Sequence, residues 1–150
     1  MQLQESLKAK GRLQIVVRDE QGNIKEEREV DNLVVTVGKN WIASRMKTVG
    51  QPTEMTHMAI GSGAVAAVDA NTGLGTELGR VALGTAGGTV SGAIVTYTGS
   101  FAAGVGTGAV TEAGVFNASS AGTMLCRTVF SVVNKGANDS MTITWTVTVS

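Results

Sequence analysis

The chain has 150 residues, one domain's worth, and a chain of that size buries roughly 70% of the surface its unfolded form exposes. Twelve Lys/Arg balance twelve Asp/Glu, which argues against a general nucleic-acid binder or a polybasic membrane-surface protein, since both need excess positive charge. A single cysteine, Cys126, excludes an intramolecular disulfide framework and a cysteine-built zinc site.

Twenty glycines accompany only 4% aromatic and 16% charged residues, against roughly 25% charged in ordinary domains. This composition points away from catalysis and towards a structural role. The charge is also uneven. Residues 1–50 carry nine Lys/Arg and seven Asp/Glu, whereas residues 51–150 carry only Arg80, Arg127, Lys135, Glu54, Asp69, Glu77, Glu112 and Asp139. A free monomer keeps a mixed, charged surface for solubility, so the charge-poor stretch is expected to face protein over part of its surface.

The first ten residues, Met1 to Lys10, contain no apolar run and no small-residue cleavage site, so a signal peptide is not expected. Apolar stretches elsewhere are broken well short of the roughly 18–20 residues of a spanning helix. Synthesis in the cytoplasm, with no membrane partner, is the resulting expectation.

In chain order, residues 1–11 are polar and read as an N-terminal arm. Leu13, Ile15 and Val17 alternate within Arg12–Arg18, Asp19–Asn23 is a turn, and Ile24–Val30 returns as a charged edge strand. Trp41, Ile42, Arg45, Met46 and Val49 fall at helical spacing. They predict a helix over about 38–48, with Thr36 as N-cap and with Trp41 and Met46 docked on the core. Gly50–Pro52 stops it.

The remainder reads as β. Met55–Ile60 is a short strand, residues 64–80 a small-residue loop, Val81–Gly84 a strand, and Thr89–Phe101 one long strand. Ala109–Phe116 and Thr123–Val133 follow, the latter with Met124, Cys126, Thr128, Phe130 and Val132 on one side. Residues Met141–Val149 alternate without a fault, with Met141, Ile143, Trp145, Val147 and Val149 inward and threonines outward. These elements predict an all-β fold, a jelly roll or β-sandwich of about eight antiparallel strands with one short α-helix, occupying residues 12–150.

Candidate chemistry is thin. Gly61-Ser-Gly-Ala-Val-Ala66 has the spacing of a dinucleotide fingerprint, which carries meaning only between a strand and a helix. The following Asp69, Asn71, Gly73 and Gly75 will not hold a helix, so a plain turn is the better reading. Asp69-x-Asn71-x-Gly73 departs from a calcium loop, with Leu74 where Gly is needed and Arg80 where Glu is needed. His57 has no acid or nucleophile beside it in sequence, and Cys126 lies on an apolar strand face, the setting of an inert thiol. Glu54, Glu77 and Glu112 stand apart from one another. Asn117-Ala-Ser119 and Asn138-Asp-Ser140 match glycosylation sequons, which have no meaning for a chain that stays in the cytosol. No catalytic, cofactor-binding or metal-binding residue is assigned, and no enzymatic activity is expected.

The succession of segments is more informative than any one motif. It runs from Asn32-Leu-Val-Val-Thr-Val-Gly38 through Met58-Ala-Ile-Gly-Ser-Gly63 and Thr76-Glu-Leu-Gly-Arg80. Val110-Thr-Glu-Ala-Gly-Val-Phe-Asn117 and Gly122-Thr-Met-Leu-Cys-Arg-Thr-Val-Phe130 follow, then the Thr/apolar strand. This order, over residues 12–150, resembles small virion structural proteins of tailed bacteriophages, and most of all the capsid decoration (cement) proteins. The resemblance implies a jelly-roll protein on the outer surface of the head. Its implied partners are the major capsid protein and copies of itself, with no nucleic acid and no cofactor. A tail or tail-fibre adhesion module is the alternative it implies. The small number of aromatic residues weighs against a glycan-binding platform.

Overall fold

The computed structural model describes residues 3–47 and 49–150 of the chain. Nine strands and one α-helix follow in order: β1 (Ala9–Arg18), β2 (Ile24–Val34), α1 (Thr36–Ser44), β3 (His57–Gly61), β4 (Glu77–Ala82), β5 (Thr89–Ser91), β6 (Ile94–Phe101), β7 (Gly108–Phe116), β8 (Met124–Lys135) and β9 (Ser140–Val149). The expected all-β, sandwich-like architecture is the one observed, with nine strands rather than about eight. The strands form one curled antiparallel sheet in the order β4-β3-β7-β8-β2-β1-β9-β6-β5.

The curl comes from β2. Its first part pairs with β1, and only Leu33 and Val34 pair with β8, opposite Arg127 and Cys126. The strand thus passes from one layer of the sandwich to the other. One layer, β2-β1-β9-β6-β5, presents Leu13, Ile15, Val17, Ile143, Trp145 and Phe101 to the core. The other, β8-β7-β3-β4, presents Met58, Ile60, Val110, Val115 and Cys126. The free end of the second layer returns to the first, where the Gly84 N–H donates to Thr98 O at 2.9 Å. Closure of this kind leaves few open strand edges.

The period-two patterns place β1 and β9 as expected. Trp145 is fully buried and its indole Nε1–H donates to Asn32 Oδ1 at 2.9 Å, satisfying the one polar atom of the largest core side chain. The first strand is longer than expected, because Ala9, Lys10 and Gly11 already pair with Val149, Thr148 and Val147.

Several expectations are corrected. The helix spans Thr36–Ser44, not 38–48, and Thr36 is its first residue; Val35 occupies the N-cap with no side-chain bond. Thr48 lies outside the described residues, as do Met1 and Gln2 of the expected arm. The helix is placed by close approach to β8: a Cβ on Gly38 would lie 2.0 Å from Leu125 O. With Gly38 turned inward, Trp41 packs against the core and donates to Thr53 O at 2.9 Å, while Met46, past the helix end, is 88% exposed. Residues 77–80, read as loop, belong to β4, and the stretch 89–101 breaks at Gly92 into a β5–β6 hairpin. Val132 is exposed rather than inward. Between the pairs Val110↔Val133 and Glu112↔Val129 the longer β8 bulges, and the alternation fails there.

Candidate functional site

The segment from Ser62 to Thr76 is not a free loop. It lies over the outer face of the β3-β7-β8 layer and is held by one buried carboxylate. Glu112 sits in the middle of β7, fully buried. Its oxygens accept the backbone N–H groups of Gly63 at 2.8 Å, Gly75 at 2.9 Å and Thr76 at 2.8 Å. Beside it, Arg127 of β8 is 2% exposed and donates from Nε at 3.1 Å and from Nη2 at 2.9 Å to Glu112 Oε2. The same guanidinium reaches Asn71 Oδ1 and Val65 O, both at 3.0 Å. Thr111 Oγ1 closes the arrangement by donating to Gly63 O at 2.9 Å.

Strand pairing explains how the two charges meet. Arg127 is opposite Gly114, on the face that Glu112 also occupies. Gly114 has no side chain in the way, so the guanidinium runs along the strand to the carboxylate. Burial works to raise the Glu112 pKa, but the N–H bonds from Thr76 and Gly75, the Arg127 guanidinium and the Gly63 N–H outweigh it. The carboxyl is held below the usual carboxylate range. Paired and fully bonded, these two groups have the chemistry of a clamp rather than of an acid/base catalyst.

This clamp accounts for the fingerprint-like glycines. A Cβ on Gly61 would fall 2.3 Å from Thr76 O and one on Gly63 2.5 Å from Glu112 Oε1. The glycines admit a carboxylate of the chain itself, and no helix follows them.

The other singled-out residues are scattered. Asp69 is exposed, 3.8 Å from Lys39 Nζ. His57, on β3, has Nδ1 2.8 Å from Thr56 Oγ1. Cys126 is fully buried and burial pushes its thiol well up. Glu77 pairs with Arg80, whose guanidinium lies 3.9 Å from the Phe116 ring centroid and donates to Ala118 O at 2.9 Å. Glu54 is exposed. Asn117 Oδ1 accepts the Thr123 N–H at 2.6 Å, and Asn138 is exposed. Among the described residues no group of three or more His, Cys, Asp or Glu is placed to hold a metal, and no helix is long and apolar enough to cross a membrane.

Two surfaces remain, the first of them built on the outward threonines expected of the last strand. One is the outer face of β9 and β6, bordered by Lys10 and Arg12 of β1, which stand opposite Thr148 and Thr146. Thr142, Thr144 and Thr146 of β9 stand opposite Ser100, Thr98 and Thr96 of β6, and Thr148 opposite Ile94. This patch is uncharged and half-buried to exposed. The other is the end of the molecule where the N-terminal segment, α1 and the end of β9 converge. There Leu7, Ile42, Met46 and Val149 line an apolar groove of about 350 Å³, with Lys8 and Lys39 beside them.

No family model, no curated protein and no solved structure matches this chain.

Proposed function

We propose that this chain is a structural protein of a phage virion, a decoration protein that binds the outside of the head across major capsid protein subunits and reinforces it. The observation that carries the reading is the threonine face of β9 and β6. It is an uncharged array, bordered by Lys10 and Arg12, whose short side chains let another protein surface approach closely. Its rigidity is set by Trp145, Ile143 and Met141, buried directly beneath it. A face of this kind gains little from any one contact, but copies repeated over a shell add up through avidity.

The sequence resemblance supports the same reading, and so does the clamp of Glu112 and Arg127, which serves stability and leaves no reactive group exposed. The partners on this reading are the major capsid protein and further copies of the chain, at the capsid surface.

Purified heads lacking the chain test it directly. Added protein is expected to co-sediment with the heads in a saturable number of copies and to raise the temperature at which they release DNA. Thr144→Arg together with Thr98→Arg is expected to abolish binding without changing the fold. Failure of the wild-type chain to bind heads overturns the proposal. A copy number of only a few per particle, in place of hundreds, assigns the chain to the tail instead.

A further inference from the structure

The apolar end described above is larger than its groove. Leu3 and Leu7 are 89% and 79% exposed, Met46 and Val49 88% and 80%. Val90 and Ile94 of the β5–β6 hairpin, 73% and 41% exposed, join them, because Ile94 pairs with Thr148 at the end of β9. Leu7 and Met46 line the groove itself, and Ile94 lies beside the end of β9 whose Val149 completes it. Single exposed apolar residues need no explanation, but a rimmed cluster marks an interaction surface.

The rim has a sign. Lys8 and Lys39 line the groove, with Asp69 3.8 Å from Lys39 Nζ. Two such ends brought face to face would oppose like charges, which disfavours a symmetric pairing through this surface. The partner should be acidic. An acidic surface exists on the molecule itself, at the far end of β1, roughly 30 Å away for a ten-residue strand. At the β1–β2 turn Asp19, Glu20, Glu26 and Glu27 cluster, with the cation Arg18 held on Gly22 O at 3.1 Å. Lys25 is taken up by Asp139 at 2.7 Å and Arg28 by Glu26 at 2.6 Å. Glu20 and Glu27 are exposed and have no ion-pair partner among the described residues. Ile24, 49% exposed, adds an apolar contact at this tip.

We infer that copies of this chain associate head to tail, the acidic β1–β2 tip of one docking at the lysine-rimmed groove of Leu7, Ile42, Met46 and Val149 on the next. Such a contact is heterologous: each copy keeps one free groove and one free tip, so association continues into a ring or an open row. The inference deepens the assembly reading and rests on it. It concerns contacts between copies, so heads are not needed to test it.

Sedimentation velocity of the purified full-length chain at about 100 μM, where weak contacts are populated, is the experiment. The wild type is expected to form species larger than a dimer, which dissociate at 0.5 M salt, because exposed charge pairs are screened. Lys8→Gln with Lys39→Gln, and separately Glu20→Gln with Glu27→Gln, are each expected to leave only monomer. Mixing the two variants is expected to give a one-to-one dimer and nothing larger, because one intact groove meets one intact tip. Unchanged urea midpoints show that these exposed substitutions leave the fold intact.

A wild-type chain that stays monomeric overturns the inference, even if it still decorates heads. Association that survives the Glu20/Glu27 variant also overturns it, because the groove is then filled by another groove or by some other surface. Head binding without self-association leaves the capsid reading standing alone.

Discussion

At the scale of single residues, Glu112 is the most consequential side chain in the protein. It is fully buried, and four partners from two segments converge on it. Glu112→Ala strands the Arg127 guanidinium and frees three backbone N–H groups. A loss of about 3–5 kcal/mol is expected in urea unfolding. The same residue sets an acid limit. Its pKa in the folded protein is lower than the unfolded value of 4.5, so its contribution is complete above about pH 4.5 and disappears as pH falls through the lower folded value. Unfolding free energy is expected to drop on acidification below that point, and the drop should be shallower in Glu112→Gln. Asp139 contributes in the same direction, since the Lys25 ammonium and the Gly136 N–H hold its carboxyl low. Cys126, fully buried with its thiol pushed up by burial, is expected to react with a thiol reagent no faster than the protein unfolds, whatever the reagent concentration.

At the scale of elements, the helix and the bulged strand show how far local pattern reaches. The spacing of Trp41, Ile42 and Arg45 announces a helix, but its rotation is decided by Gly38 against Leu125 O. That contact aims Trp41 at the core and carries Met46 out into solvent. Gly38→Ala brings a methyl against backbone that cannot retreat, and a loss of about 1–3 kcal/mol in unfolding free energy is expected. In β8 the alternation of Met124, Cys126 and Thr128 was legible. The strand is buried on both faces because Ser62–Thr76 covers its outer side, a fact that no pattern within β8 announces. Arg127, a lone charge within an apolar run, and Glu112, another such charge 15 residues earlier, were the available signal. What joined them was the unbroken register of β7 on β8 from Glu112↔Val129 to Gly114↔Arg127.

At the scale of the whole molecule, the two chain ends are bound together. Strand β1 lies between β2 and β9, and β9 pairs with β1 along its full length. The last strand also supplies Met141, Ile143 and Trp145 to the core and the threonines to the outer face. Removing residues 140–150 therefore opens the sheet at its centre rather than trimming an edge. Loss of any cooperative thermal transition is expected by calorimetry. The uneven charge of the sequence acquires a location at this scale. The charged first fifty residues supply both the acidic hairpin tip and the lysines at the apolar groove, while the threonine face of β9 and β6 carries none.

The sequence alone determined the fold class, the strands of the β1–β2 hairpin and β9, and the inward residues of both, because period-two burial is a local property that strand geometry imposes on every sheet. It also marked the chain as poor in charge and in reactive clusters. Tertiary structure decided what was non-local: the pairing of Glu112 with Arg127, the covering of β7 and β8 by residues 62–76, and the meeting of Leu7, Ile42, Met46 and Val149 in one groove. These depend on which strands become neighbours and in which register. The balance of the whole core sets that arrangement, and no window of the chain contains it.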